Sequence, residues 1–257
     1  MEHEPARAFS RLLEIMNDLR TQCPWDRQQT LDSLRYLTIE ETYELSDAIL
    51  EGDLDNVKKE LGDLLLHIVF YAKIGEEKSA FNMTDVIEGI NAKLIHRHPH
   101  IYSDVEANDA QTVKNNWERI KLKEGKRSVL EGVPMSLPAM VKAYRIQEKV
   151  RGVGFDWEET RQVRKKVVEE FLELTKELDK EDNHNKIEDE FGDLLFALIN
   201  YARFIGVNPE DALERTNRKF ISRFKYMEDR ARESGRELHD MTLSEMDLWW
   251  EEAKGKE

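Results

Sequence analysis

An acidic pattern that occurs twice is the feature that most limits how this chain can fold. Each copy reads E-E-x-x-E and, further along, E-x-x-D. The acids are Glu40, Glu41, Glu44, Glu60 and Asp63 in the first copy, and Glu169, Glu170, Glu173, Glu190 and Asp193 in the second. Because residues three and four apart share a face of an α-helix, each half of the pattern predicts a helix with an acidic face.

Turn signals lie midway between the two halves of each pattern. In the first copy the signal is Gly52-Asp53, and in the second it is the polar run over 181–185. Such runs are typical of the turn in a helical hairpin. A chain that folds back there brings its carboxylates to the same height on antiparallel helices. For the first hairpin we predict helices over 31–51 and 54–74.

The two halves of the chain also match outside the acids. The pattern N-x-K-x-x-x-R occupies 91–97 and again 217–223, and Y-A followed by a basic residue occupies 71–73 and 201–203. No stretch shows useful β-alternation, and six prolines with twelve glycines favour long helices over a turn-rich fold. We therefore predict an all-α fold, a tandem repeat of two helical-bundle domains. The expected bounds are 1–123, a linker over 124–138, and 139–257.

Local signals predict where several helices begin. Thr84 is a candidate N-cap, and Asn208 is another because a proline follows it at the first helical position. Thr242 and Glu245 have the spacing of a capping box. Amphipathic helices are also predicted over 109–123 and 139–151.

Composition excludes some classes of partner and compartment. The net charge of −14 argues against binding a nucleic acid polymer, whose phosphates attract basic surfaces. The single cysteine, Cys23, rules out a disulfide within the chain and favours a reducing compartment. No apolar run has the length of a membrane span, and the first residues do not resemble a signal peptide. We expect a soluble cytoplasmic protein without a membrane partner.

Carboxylates that face one small volume raise one another's pKa or recruit a cation. Ligands that are all oxygen, without Cys or His, favour Mg²⁺, with Mn²⁺ as an alternative, over zinc. A solvated acidic helix face would explain one copy of the pattern, but two copies in equivalent places favour a metal site. Each copy is followed by a basic pair four residues apart, Lys93 and Arg97 or Lys219 and Arg223. Such pairs can neutralise phosphates that a metal leaves uncovered.

The duplicated acidic motif resembles that of the all-α nucleoside triphosphate pyrophosphohydrolases, and the tandem arrangement resembles the MazG family. The resemblance covers nearly the whole chain, including C-P-W-D at 23–26 and W-W-E at 249–251. It implies Mg²⁺-dependent hydrolysis of NTPs or dNTPs of any base to the monophosphate and pyrophosphate, in a homodimer that cleanses the nucleotide pool.

The resemblance also implies roles for residues of the second repeat. Metal ligation would fall to Glu170, Glu173, Glu190 and Asp193, with Glu169 assisting or orienting. Lys219 and Arg223 would hold the β- and γ-phosphates, and Trp250 would lie against the base. Trp250 could equally be a core residue of a short terminal helix. The family pattern favours the second repeat as the main catalytic site. The first repeat keeps all five acids and its basic pair, so it is a candidate second site.

Three other interpretations remain open at this point. The clusters could be metal-stabilised contacts of a non-catalytic scaffold or regulator. The enzyme could instead be a specialised phosphoribosyl-ATP or dUTP/dCTP pyrophosphohydrolase. A di-iron carboxylate bundle would need Glu-x-x-His on paired helices, whereas both copies here read Glu-x-x-Asp. His67, one turn after Asp63, is expected to be a packing residue and not a ligand.

Overall fold

The structure is a computed structural model that describes residues 4–103, 109, 112–113, 116–117, 120, 128–181 and 183–256. Within those ranges every regular element is helical and no strand occurs, which confirms the predicted all-α fold. The chain divides into two compact units, Met1–Asn108 and Asp109–Glu257. That division precedes the predicted boundary at 123. The predicted helix over 109–123 falls mostly outside the described residues, and 128–138 of the predicted linker form turns and bends.

The first unit contains six described helices, which are named here in chain order. They are α1 (Glu4–Gln22), α2 (Pro24–Gln28), α3 (Leu31–Glu51), α4 (Leu54–Glu77), α5 (Met83–Arg97) and α6 (Pro99–Tyr102). The hairpin of α3 and α4 is its main feature, and it confirms the predicted fold-back. Thr30 caps α3 through a reciprocal capping box with Ser33.

The turn of this hairpin is built from the two predicted residues. Gly52 ends α3 with φ of 70°, a left-handed conformation that glycine adopts without steric strain. The Asp53 side chain then accepts hydrogen bonds from the amides of Asp55 and Asn56 and so caps α4. One prediction of a helix start is wrong, because α5 is capped by Asn82, paired with Asp85, and not by Thr84. The side chain at 82 reaches the free amide at N3.

A packed apolar core fills the first unit between α1, α3 and α4. Its buried members are Met16, Leu34, Val69, Phe70 and Ile74. Leu37, Leu66 and Tyr71 are among the half-buried residues that pack around them. Arg20 closes one side of this core, since it donates to Glu77 at 2.9 and 2.5 Å and its guanidinium lies 5.4 Å from the Phe70 ring centroid.

The second unit contains five described helices and one short 3-10 turn. They are α7 (Ala139–Arg151), α8 (Thr160–Leu178), α9 (His184–Phe204), α10 (Pro209–Glu233), the turn Leu238–Asp240 and α11 (Leu243–Lys254). Helices α8 and α9 form the second predicted hairpin, and α7 packs against α9. The predictions for Asn208 with Pro209 and for the capping box of Thr242 with Glu245 are confirmed.

An ion pair ties the loop between α7 and α8 to α9. Arg203 donates to both carboxylate oxygens of Asp156, at 2.9 and 2.5 Å, and its side chain is only 5% exposed. A planar guanidinium holding a carboxylate through two bonds fixes direction as well as distance. The loop residues next to Asp156 are therefore held against the same part of α9 that follows its acids. Among the described helices, none combines the length and apolar character needed to cross a membrane.

Candidate functional site

Three of the five predicted carboxylates of the second unit converge, and Glu169 and Glu173 lie outside this group. Glu170 from α8 and Glu190 and Asp193 from α9 each place one oxygen within 4.8 Å of the other two. Glu170 is buried, Glu190 is half-buried and Asp193 is exposed, so the group extends from the interior to the surface of the unit. We call these residues the second acidic cluster.

Lys166 supports this cluster from one turn earlier on α8. Its Nζ lies 2.6 Å from Glu170 and 2.7 Å from Glu169. The hydrogen bonds to Glu169 and Glu170 raise the pKa of Lys166 above its usual range. Glu169 responds in the opposite sense, because its hydrogen bond to Lys166 lowers the pKa of its carboxyl. Glu169 is thus held ionised beside the cluster without belonging to the group of three.

Glu190 is the acid whose environment opposes ionisation. Burial raises the pKa of Glu190, and the charges of Glu173 and Asp193 raise it further. Glu173 is half-buried on α8 and acts on the cluster through its charge. Because these carboxylates repel one another, a bound cation would stabilise the folded protein by relieving that repulsion.

The donor set fits a hard divalent cation. All the converging atoms are carboxylate oxygens, the ligand type that Mg²⁺ prefers. Their spacing, within 4.8 Å of one another, would allow these residues to hold one ion. Neither Cys nor His belongs to the group, which disfavours zinc.

A pocket of about 520 Å³ opens directly beside the second acidic cluster. Glu170, Asp193 and Lys166 form its polar edge. The rest of its lining comes from α7, the loop after it and α9, namely Ile146, Gln147, Val150, Gly154, Phe155, Asp156, Trp157, Phe196, Ala197, Asn200 and Arg203. This volume and this largely apolar lining are typical of a small-molecule site.

The first unit repeats the acidic cluster, but burial differs at each of the three positions. Glu41 from α3 and Glu60 and Asp63 from α4 lie within 4.8 Å of one another. Here the buried acid is Glu60, which is 1% exposed, and Lys59 pairs with its Oε1 at 2.9 Å. Burial raises the pKa of Glu41, and the charges of Asp63 and Glu44 add to that effect. We call Glu41, Glu60 and Asp63 the first acidic cluster; Glu40 is exposed beside it.

The predicted substrate-binding residues of the second unit lie on α10 and α11. The guanidinium of Arg223 lies 5.5 Å from the Trp250 ring centroid, and Phe220 packs against the same indole at 5.0 Å. The structure therefore brings Arg223 and Trp250 together, while Lys219 is exposed on the same helix. None of these three residues lines the pocket. In the first unit, Lys93 is exposed and Arg97 is half-buried on α5, which packs against α4.

Several residues at this site were missed by the sequence-based assignment of roles. They are Lys166, which pairs with Glu170, and Phe155, Trp157, Asn200 and Gln147, which line the pocket. One signal was available, since the loop over 152–157 occupies the place that C-P-W-D holds in the first repeat. Its position beside the acids follows from packing of α7 on α9, which periodicity does not reveal.

Comparison with known proteins supports the duplicated arrangement. The MazG nucleotide pyrophosphohydrolase domain matches residues 29–102 and again 158–227. A nucleoside triphosphate pyrophosphohydrolase/pyrophosphatase MazG of Thermotoga maritima is 43% identical over 252 residues, which are 96% of each chain. A nucleoside triphosphate pyrophosphohydrolase of Escherichia coli K12 is 40% identical over 97% of this chain and 98% of its own. An uncharacterized protein, YabN of Bacillus subtilis, is 46% identical over 97% of this chain but only 52% of its own length.

Proposed function

Because the chain belongs to the MazG nucleotide pyrophosphohydrolase family, we propose that it hydrolyses nucleoside triphosphates to the monophosphate and pyrophosphate at its second unit. One observation carries the assignment to that unit. A pocket large enough for a nucleobase opens beside three converging carboxylates. A nucleotide placed there would have its base in the apolar pocket and its phosphates over the acids.

The metal ligands would be Glu170, Glu190 and Asp193, while Glu173, predicted as a fourth ligand, lies outside this group and acts on Glu190 through its charge. Mg²⁺, or Mn²⁺ in its place, would supply positive charge to neutralise the phosphates and would lower the pKa of water. Lys166 holds Glu170 at 2.6 Å and so presets one side of the site. Glu169 is bonded to the same lysine, and we assign it the role of orienting that ammonium and the attacking water.

Hydrolysis requires a water aligned with the α-phosphorus and a group that takes its proton. A carboxylate of the second acidic cluster that is not fully engaged with metal would accept the proton. The pyrophosphate that leaves carries the β- and γ-phosphates, whose charge needs cations outside the cluster. Lys219 and Arg223 are proposed for that role, and the position of Arg223 over Trp250 gives this basic group a rigid support.

The base is assigned to the pocket lined by Phe155 and Trp157. Aromatic faces bind bases of any identity, which favours a broad range of nucleotides. The sequence pointed instead to Trp250, whose indole packs on Phe220 and Arg223 outside this pocket. The role of Trp250 stays a prediction that the variants described below compare with Trp157.

The second unit is proposed as the main catalytic one, and the first as a structural or weaker site. In the first unit the residues next to the acids pack into the core, as Phe70 and Leu66 show. In the second unit the corresponding space is a pocket. The first acidic cluster could still hold a cation, because its ligand oxygens are as close together.

Exposed apolar stripes on the second hairpin support the proposal of a homodimer. Val168, Phe171 and Leu172 on α8 are each more than half exposed. Phe191, Leu195 and Leu198 form a similar stripe on α9, 43–52% exposed. Contiguous apolar surface of this kind is commonly covered by a second copy. Light scattering should give twice the mass of one chain, whereas a monomer at all concentrations would contradict the proposal.

A product assay tests the reaction directly. The full-length protein is incubated separately with ATP, GTP, CTP and UTP, with Mg²⁺, with Mn²⁺ and with a chelator. We expect equal amounts of monophosphate and pyrophosphate with either metal and none with the chelator. Orthophosphate in place of pyrophosphate would mean that another bond is cut. If neither product forms from any nucleotide, a metal-stabilised scaffold becomes the better explanation. The same assay with dUTP, dCTP and phosphoribosyl-ATP tests the specialised alternatives, and product from only one of these nucleotides would replace the broad specificity.

A further inference from the structure

Two carboxamide side chains lie in the wall of the pocket. Asn200 projects from α9 and Gln147 from α7, and both line the space proposed for the base. Apart from the charged residues at its edge and the Asp156–Arg203 pair, the rest of the lining is apolar or aromatic and includes Phe155, Trp157 and Phe196. Polar groups that are few and fixed in an apolar pocket are the usual source of ligand selectivity.

The amide of Asn200 is held in one orientation. Arg203 donates from Nε and Nη2 to its Oδ1, at 3.2 and 2.8 Å. A guanidinium has donors only, so the atom that faces it must be the oxygen, and the amide cannot be reversed. The Nδ2 group of Asn200 remains as a donor, and it has no partner among the residues that the structure describes.

Arg203 is itself held in place, so Asp156, Arg203 and Asn200 form a chain of hydrogen bonds that ends at Asn200. Its two bonds to Asp156 anchor the guanidinium to the loop that carries Phe155 and Trp157. The Arg203 guanidinium also lies 4.8 Å from the centroid of the Phe204 ring. The loop wall of the pocket and the direction of the Asn200 donor are therefore set by one buried arginine.

Gln147 supplies the opposite kind of group. The side chain is 4% exposed, and its Nε2 donates to the carbonyl oxygen of Phe196 at 2.9 Å. That bond assigns the amide, and it leaves Oε1 buried without a hydrogen-bond partner. An unpaired buried acceptor is unfavourable, and a hydrogen bond from a ligand N–H would remove that cost.

We propose that Asn200 and Gln147 determine base preference, Asn200 as a fixed donor and Gln147 as a fixed acceptor. The inference rests on the proposed function, in which the pocket holds the base. The aromatic walls accept every base, whereas the two amides distinguish an amino group from a carbonyl group on the base edge. An amino group on the base donates a hydrogen bond, and the ring nitrogen beside it accepts one. A carbonyl group at the same position accepts, and the ring nitrogen beside it carries a proton and donates.

The test uses two pairs of substrates that differ only in this exchange, ATP with inosine triphosphate and CTP with UTP. The quantity measured is the ratio of kcat/KM within each pair. For the wild type we expect the amino and carbonyl members to differ by about fivefold to tenfold, in the same sense in both pairs. A ratio near one in both pairs, or opposite senses, would overturn the proposal.

Two variants test the role of each fixed group. Asn200→Asp keeps an oxygen for Arg203 and presents an acceptor to the pocket, so both ratios should move about tenfold in the direction opposite to the wild-type preference. Arg203→Lys installs the residue type found at the equivalent Lys73 and removes the fork that orients Asn200. Its ratios should move towards one. A uniform loss for all four nucleotides in both variants would show a merely structural role and reject the proposal.

A matched control is Asn185→Asp, the same change at an exposed position on the same helix. Its ratios should equal those of the wild type. Thermal melts identify variants that do not fold, in which case the wild-type ratios still decide the matter. Failure of the proposed function has a different signature, because the wild type would then release no pyrophosphate from any of the four nucleotides.

Discussion

The two units keep the same acids but differ in what lies beside them. In each, a hairpin brings three carboxylates within 4.8 Å, and a lysine pairs with the buried one, Glu60 or Glu170. Next to the first acidic cluster the space is filled by core side chains. Next to the second it is a pocket of about 520 Å³.

Single replacements at equivalent positions account for much of this difference. Phe70, which is 3% exposed in the core, stands where the second unit has Asn200. His67 stands where the second unit has Ala197. His67 Nδ1 lies 2.6 Å from the hydroxyl of Thr38, and that hydroxyl lies 2.6 Å from the hydroxyl of Tyr71. Phe70 and His67 therefore fill this space in the first unit. The smaller Asn200 and Ala197 leave it open in the second.

This comparison shows that the acidic motif alone does not define a substrate site. His67 is 7% exposed, its Nδ1 contacts Thr38, and it does not belong to the first acidic cluster, which is consistent with a packed residue; burial also lowers its pKa, although the charge of Asp63 opposes that. Metal-binding geometry and space for a nucleotide are separate properties of the fold. The predictions that follow test whether they are also separate in function.

The largest expected effect distinguishes the two acidic clusters. Asp193→Asn or Glu170→Gln should lower kcat for pyrophosphate release on the order of a hundredfold or more, because each removes a proposed metal ligand. Asp63→Asn and Glu41→Gln, the matched changes in the first unit, should reduce it little. Steady-state assays at saturating Mg²⁺ measure both sets. Equal losses would mean that both units take part in catalysis.

The next effect tests the pocket by exchanging its distinguishing residue. Asn200→Phe introduces the side chain of the first unit and should raise KM at least about tenfold by filling the pocket. The reverse change, Phe70→Asn, should leave KM unchanged and destabilise the first unit by at least about 3 kcal/mol, since a buried aromatic is lost. Urea unfolding measures the second quantity. An unchanged KM in Asn200→Phe would place the nucleotide elsewhere.

A smaller effect decides which tryptophan contacts the base. Trp157→Ala should raise KM by about fivefold to tenfold, the lower end of the range for one aromatic stacking contact. Trp250→Ala removes the packing partner of Phe220 and Arg223. It should therefore weaken the binding of the phosphates, and the rise in KM should be similar for every nucleotide. Titration with a non-hydrolysable nucleotide and with tripolyphosphate separates these contributions. If tripolyphosphate binding is unaffected by Trp250→Ala while nucleotide binding falls, Trp250 is the base partner.

The smallest expected effect concerns stability and pH. The pKa of Glu190 is raised in the folded protein, so the folded state keeps this proton to a higher pH than the unfolded state does. Without metal, the contribution of Glu190 should therefore lower the free energy of unfolding as pH rises above about 4.5, the ordinary value. Glu190→Gln should remove this loss, and its advantage over the wild type should grow towards neutral pH in a chelator.

Added Mg²⁺ provides the control for that measurement. It should stabilise the wild type more than Glu190→Gln, because the cation relieves the repulsion among the carboxylates and loses a ligand in the variant. Chemical denaturation at several pH values, with and without metal, gives the comparison. If the free energy of unfolding of Glu190→Gln changes with pH as that of the wild type does, Glu190 is not the group whose ionisation destabilises the protein.

Much of the fold was predictable because helical signals are local. The spacing of acids, the turn at Gly52-Asp53 and the caps at Asn208 and Thr242 each depend on residues within one or two turns. The error at Thr84 has the same origin. Asn82 and Thr84 are both good caps, and only the path of the chain after α4 decides which amide lies within reach.

The sequence by itself determined the two hairpins and the convergence of three acids in each, because helical period and symmetric turns place those carboxylates at the same height. Only the tertiary structure decided that the space beside the acids is a pocket in the second unit and is filled by core side chains in the first. That outcome depends on how α7 and the loop holding Asp156 pack on α9, and on the volume of side chains at Asn200 and Ala197. Packing of residues distant in the chain is a sum of many contacts, and no local pattern records it.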